Sequence, residues 1–140
     1  MAMLHATCIA IGGRGVLLMG RPGSGKSDLA FRLIDRGAVL VADDSTTVEA
    51  IDGRLRVTCP ATIAGQIEIR GVGIVTLPTL AATEIALCVS LDESPERMPP
   101  DPLPTIAIEG LAIPKIALAA FESSAPLKLE KALLLYGLVP

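Results

Sequence analysis

Tryptophan is absent from these 140 residues, and only one tyrosine and two phenylalanines are present. Aromatics make up 2% of a chain that is 51% apolar, so the core has to be built from Ala, Leu, Ile and Val. An aliphatic composition of this kind suits an α/β fold with strands buried on both faces. The same shortage removes the aromatic platforms on which single-stranded nucleic acids stack. Basic excess is also missing: 12 Lys and Arg against 15 Asp and Glu leave a net charge of −3. A nucleic-acid partner, which asks for a basic face, is therefore not expected. No run is long and apolar enough to cross a bilayer. The start, Met1-Ala2-Met3-Leu4-His5, has neither the basic region nor the apolar stretch of a secretion signal. Cys8, Cys59 and Cys88 form no Cys-x-x-Cys pair, and with the lone His5 they give no metal-ligand spacing. Three buried, reduced thiols in a single-domain cytoplasmic protein with no membrane partner is the expectation.

What the chain does have is Gly20-Arg21-Pro22-Gly23-Ser24-Gly25-Lys26-Ser27, a complete G-x-x-x-x-G-K-[ST] phosphate-binding loop. It follows the apolar run Val16–Met19 and precedes a helix-like segment. Glycines let the backbone curl so that successive N–H groups face an anion. The helix behind adds the positive end of its dipole. Lys26 can reach the β and γ phosphates of ATP, and the Ser27 hydroxyl can bind Mg²⁺.

Leu4–Ile11 and Val16–Met19 read as strands joined by a turn at Gly12–Gly15. Lys26–Arg36 reads as a helix, with Leu29, Ala30, Leu33 and Ile34 on one face and Gly37 placed as a C-terminal cap. Ala38–Ala42 reads as a buried strand. Thr46–Ile51 and Arg54–Cys59 flank the hairpin signal Asp52-Gly53. Further extended segments are expected at Gln66–Ile69, Ile74–Leu77, Ile85–Leu91, Ile106–Ile108 and Ala112–Ile113. Ser94–Thr105 carries five prolines, so it reads as a surface loop. Leu127–Tyr136 has helical spacing and stops at Gly137.

Two further features narrow the chemistry. Val39-Leu40-Val41-Ala42 runs into Asp43-Asp44, seventeen residues after Lys26. Carboxylates at a strand end beside a phosphate loop hold Mg²⁺ or its waters, or take a proton from a nucleophile. Glu68-Ile69-Arg70-Gly71-Val72-Gly73-Ile74 puts an acid and a base on one face of a strand that meets a Gly-x-Gly bend.

Taken together, these residues resemble the C-terminal catalytic domain of the HPr kinase/phosphorylase family. There a histidine opens the first strand fifteen residues before the first loop glycine, as His5 stands before Gly20. The family's helix ending Arg-Gly, strand ending Ala-Asp-Asp and Glu-Ile-Arg-Gly-x-Gly-Ile segment match Arg36-Gly37, Ala42-Asp43-Asp44 and Glu68–Ile74. Pro114-Lys115-Ile116 matches as well, so the likeness runs over roughly residues 4 to 116. The resemblance implies an α/β phosphate-loop kinase with a mixed sheet and flanking helices, similar in fold to phosphoenolpyruvate carboxykinase. It implies transfer of the ATP γ-phosphate to a serine of an HPr-type phosphocarrier, often by a homo-oligomer. It also implies that Lys26 steadies the phosphates and that Ser27 and Glu68 hold Mg²⁺. The Asp43-Asp44 pair would supply the base, with preference for Asp44. His5 would tune the pair, and Arg70 would bind phosphate or shape the loop.

The chain reads as a shortened form without the family's separate N-terminal domain. Where the family carries a Gly-Arg-Asn arginine, Ala119–Pro126 has no basic residue, so the reverse reaction with inorganic phosphate is not expected to be strong. The alternative function is a nucleotide-sensing module without phosphotransfer. A small-molecule kinase lacks an evident arginine-rich lid, and the glycine order does not fit a dinucleotide fold.

Overall fold

Strands β2 (Ala6–Ile11) and β3 (Arg14–Met19) are buried over nearly their whole length, as apolar runs sealed on both faces require. The computed structural model describes residues 1–140. The other elements are β1 (Ala2–Leu4), α1 (Lys26–Asp35), β4 (Val39–Ala42), β5 (Thr46–Ile51), β6 (Arg54–Thr58) and a 3-10 turn at Ala61–Ile63. They continue with β7 (Gln66–Ile69), β8 (Gly73–Thr76), β9 (Ala82–Ser90), β10 (Thr105–Ile108), β11 (Leu111–Ala117) and α2 (Ala125–Tyr136). The fold is α/β.

Nine strands make one mixed sheet whose main order is β1-β5-β6-β9-β3-β2-β4. Strand β9 is its branch point. Along one edge it pairs parallel with β3. Along the other, Ala82–Glu84 pair antiparallel with β6, and Cys88–Ser90 pair parallel with Lys115–Ala117 of β11. Strand β10 folds back on β11, and β7 and β8 form a separate hairpin.

Each face of this sheet carries its own core. Ile9, Val16, Leu18 and Val89 meet Leu29 and Leu33 of α1 and Leu129 and Leu133 of α2. On the opposite face Cys8, Leu17 and Cys88 meet Val48, Leu55, Val57 and Ile113 where the sheet curls over itself. Alternation along β2 and β3 divides their side chains between the two cores. The β3–β9 register slips at Gly15/Val16, which lets Ile85 and Cys88, three residues apart, reach the same face.

Helix α1 ends in a Schellman motif: Ala38 N–H donates to Leu33 O and Gly37 N–H to Ile34 O, both at 3.0 Å. Gly37 has φ 110, a conformation an L side chain resists. Ala38 therefore belongs to the cap, not to the strand expected from its apolar run, and β4 starts at Val39.

Other boundaries move for identifiable reasons. The expected strand Leu4–Ile11 breaks at His5, where pairing changes from β5 to β3 and β4. The Gly12–Gly15 turn shrinks to Gly12-Gly13, because Ile11 already faces Arg14. Strand β9 starts three residues before Ile85 by pairing with β6. Strand β11 runs through Pro114 to Ala117. It pairs with β10 up to Pro114 and with β9 from Lys115, so the missing proline N–H falls at the change of partner. Helix α2 begins at Ala125, two residues before the expected start, because Pro126 lies in the first turn, where no backbone donor is needed. Arg70 lies just past β7, in the turn, so it does not share a strand face with Glu68.

Only Cys8 and Cys88 are buried; Cys59 is half-buried. Burial raises both core thiols, Cys88 to about 12 and Cys8 further, from an ordinary 9.0. Above pH 9 the unfolded chain releases these protons while the folded one keeps them. Their contribution to stability is therefore whole below pH 9 and declines as pH rises above it. Melting temperature followed from pH 8 to 11 should fall, and Cys8→Ala should flatten that fall even if it lowers the starting value.

Candidate functional site

Strand β3 delivers the chain to Gly20, and α1 begins at Lys26, so Gly20–Gly25 is strung between a buried strand and a helix whose first two residues complete the motif. The loop closes with Ser24 N–H on Arg21 O at 3.0 Å, and Leu29 N–H on Gly25 O at 2.9 Å starts the helical ladder. Gly25 caps the helix at φ 99. A Cβ there would stand 2.9 Å from Ala120 Cβ and 3.1 Å from Phe121 Cζ, so both conformation and space call for glycine. The first N–H groups of α1 have no carbonyl of their own helix to bond. Lys26 is buried, and its Nζ donates to Gly20 O at 2.7 Å and Arg21 O at 3.2 Å, which holds the ammonium inside the loop's curve. Ser24 Oγ is buried with no hydrogen-bond partner. Arg21 N–H donates to both Asp92 carboxylate oxygens at 3.0 Å, which pins the loop's outer turn to the segment after β9.

The two aspartates have different surroundings. Asp43 is anchored at the end of β4. Its Oδ1 accepts from Ser27 Oγ at 2.6 Å and from Thr7 Oγ1 at 3.0 Å, and its Oδ2 accepts from Glu68 N–H at 3.3 Å. Asp44 turns away in the left-handed region at φ 63, and its N–H donates to the same Thr7 hydroxyl at 3.2 Å. One buried threonine on β2 thus orients both acids: its hydroxyl donates to one side chain and accepts from the other's backbone.

Two clefts meet at the loop. One of about 400 Å³ is bordered by Gly25, Lys26, Ser27, Asp43, Glu68 and Arg70. The other, about 670 Å³, holds His5, Ser90, Glu93 and Lys115. Pro22, Lys26 and Asp44 line both. The residues singled out in the sequence therefore gather at one place, although His5 and Arg70 stand in different clefts. Cys59 is close enough for the Asp43 charge to add to burial in raising its thiol. Glu93 in the larger cleft is held low, first by its hydrogen bond from Lys115, 2.9 Å away. Thr7 and Asp92 were not singled out. Thr7 had a signal, as the one polar residue in Ala6–Ile11; an aspartate after an apolar strand had none that sets Asp92 apart.

A family model described as HPr Serine kinase C-terminal domain matches residues 1–122. The chain belongs to this family. The HPr kinase/phosphorylase of Clostridium novyi (strain NT) is 44% identical over 77 residues, covering 55% of this chain and 25% of that protein. That of Limosilactobacillus reuteri (strain DSM 20016) is 36% identical over 126 residues, covering 81% of this chain and 39% of that protein. The chain therefore spans between a quarter and two-fifths of the length of these relatives. The solved structure of the Hpr(Ser) kinase/phosphatase from Coxiella burnetii superposes with a TM-score of 0.82 at 32% identity, covering 96% of this chain and 95% of that one. Within the family domain, residues 1–122 take in every site residue named above and leave out α2.

Proposed function

We propose that this chain is a protein serine kinase that transfers the γ-phosphoryl group of ATP, in the presence of Mg²⁺, to a serine of an HPr-type phosphocarrier. The position of Asp44 carries the reading: it borders both the cleft that contains Lys26 and Ser27 and the open cleft beside it. The unpartnered Ser24 Oγ and the glycine-lined curl suit a phosphate chain.

The smaller cleft is bordered by Asp28, Asp43, Asp44 and Glu68 against Lys26 and Arg70, so a bare polyphosphate would meet net negative charge. A divalent cation would offset that charge, and Ser27 and Glu68 are the oxygen ligands that would hold it. When bound, Mg²⁺ neutralises charge on the phosphate oxygens.

Lys26 stabilises the β and γ phosphates, and the first N–H groups of α1 add fixed donors. The acceptor serine enters from the larger cleft. Its oxygen forms a bond to the γ phosphorus as the bridging oxygen leaves with ADP, and Asp44 accepts the hydroxyl proton. Thr7 keeps Asp43 and Asp44 in their separate orientations. His5, on the acceptor side, tunes Asp44, and Arg70 steadies the transferring group. The reading is of one catalytic domain, cytoplasmic, working as a homo-oligomer.

Incubating the purified chain with ATP, Mg²⁺ and the cell's HPr-type carriers should yield phosphoserine by mass spectrometry. Absence of product, where an intact family member works on the same carrier, overturns the reading. Adding inorganic phosphate to the phosphorylated carrier should release little pyrophosphate, since Ala119–Pro126 offers no cation. That same gap favours the second reading, a nucleotide sensor without transfer.

A further inference from the structure

Neither phenylalanine of this chain is in a core; both border the phosphate-loop cleft. A single exposed ring means little by itself. The way Phe121 is held sets it apart. It is 71% exposed, yet its turn is clamped. Arg32 of α1 donates through Nη1 to Glu122 O at 3.0 Å and through Nη2 to Ala120 O, the carbonyls on either side of the ring. Asp28 pairs with the same guanidinium at 2.9 Å. The edge of the ring rests on the loop itself, since a Cβ on Gly25 would meet Phe121 Cζ at 3.1 Å and Cε1 at 3.2 Å. An apolar ring is thus fixed against the loop and left open to solvent.

Phe121 also divides two spaces. On one side is the cleft with Lys26 and the carboxylates. On the other is a depression of about 630 Å³ bordered by Pro22, Gly23, Leu91 and Ala119. The ring stands against Gly25, one residue before Lys26, so a triphosphate drawn toward Lys26 and Ser27 brings its nucleoside within reach of it.

We infer that Phe121 is the stacking platform for the purine base of the nucleotide, an assignment that rests on the phosphate-loop reading above. A rigid ring offers its π-face to a base at little entropic cost, because the turn is ordered before binding. The Arg32 clamp is the positioning device.

Isothermal titration calorimetry with Mg-ATP and with Mg-tripolyphosphate, which has the phosphates but no base, separates the two contributions. Phe121→Ala removes an exposed ring, touches neither core, and should keep the wild-type melting temperature. It should weaken Mg-ATP roughly ten-fold or more and change tripolyphosphate by less than about two-fold. In Phe121→Trp, the only tryptophan of that variant should be quenched by Mg-ATP and not by tripolyphosphate. If Phe121→Ala weakens both ligands equally, or neither, the base platform is overturned while the phosphate loop stands. If the wild-type protein binds neither ligand, both readings fall.

Discussion

Replacing Asp44 with asparagine is expected to slow phosphotransfer by about 10²–10⁴-fold, the range a positioned general base supplies. Nucleotide affinity and melting temperature should stay at their wild-type values. Asparagine tolerates the left-handed backbone of residue 44 at φ 63, and the N–H bond to Thr7 does not involve the side chain. In the proposed mechanism only the proton acceptor is lost. Initial rates from phosphoserine formation, with calorimetry on the same preparation, check this. A rate within about three-fold of wild type sinks the assignment of the base. Asp43→Asn should behave differently. Three donors, from Ser27, Thr7 and Glu68, converge on its carboxylate, so that variant should lose stability along with activity.

Lys26→Met is expected to remove activity while the protein still folds. The methionine keeps a similar apolar stem in the buried space and deletes the charge. Loss of one preorganised charged contact costs about 3 kcal/mol or more in the transition state, roughly 10²-fold in kcat/KM. In the folded protein the carbonyls of Gly20 and Arg21 lose their donor, at about 1 kcal/mol each. Relief of a buried ammonium offsets part of that. A shift of a few degrees in melting temperature with near-complete loss of turnover is the anticipated pair of results. Retained turnover in a folded Lys26→Met protein overturns the role of the loop.

Most of the segments that gather at this candidate site were legible because each is local. The loop, the Asp43-Asp44 end of β4 and the Glu68–Ile74 hairpin are short segments whose chemistry shows in adjacent letters. The Asp52-Gly53 turn was legible for the same reason, and the Gly12-Gly13 turn only as part of the wider Gly12–Gly15 span, since two-residue hairpins of this kind need glycine or aspartate at positive φ. What escaped depends on partners far along the chain. Thr7 takes its meaning from Asp43 and Asp44, Asp92 from Arg21, and Phe121 from Arg32 and Gly25. Strand ends moved wherever a neighbour supplied or withdrew hydrogen bonds, as at His5, Ala82 and Pro114, and no single-segment pattern records that.

The branched sheet has one more implication, for solubility. A branch at β9 leaves three free margins instead of two, and an unpaired margin is where sheets from different molecules join. Each margin here is blunted. The β1 end is three residues long. Along β4, Leu80 N–H donates to Leu40 O and covers part of the row. The β10 end is four residues long and follows the proline-rich loop, which cannot lengthen it. Each of these three margins thereby offers little unpaired strand for a second copy to join.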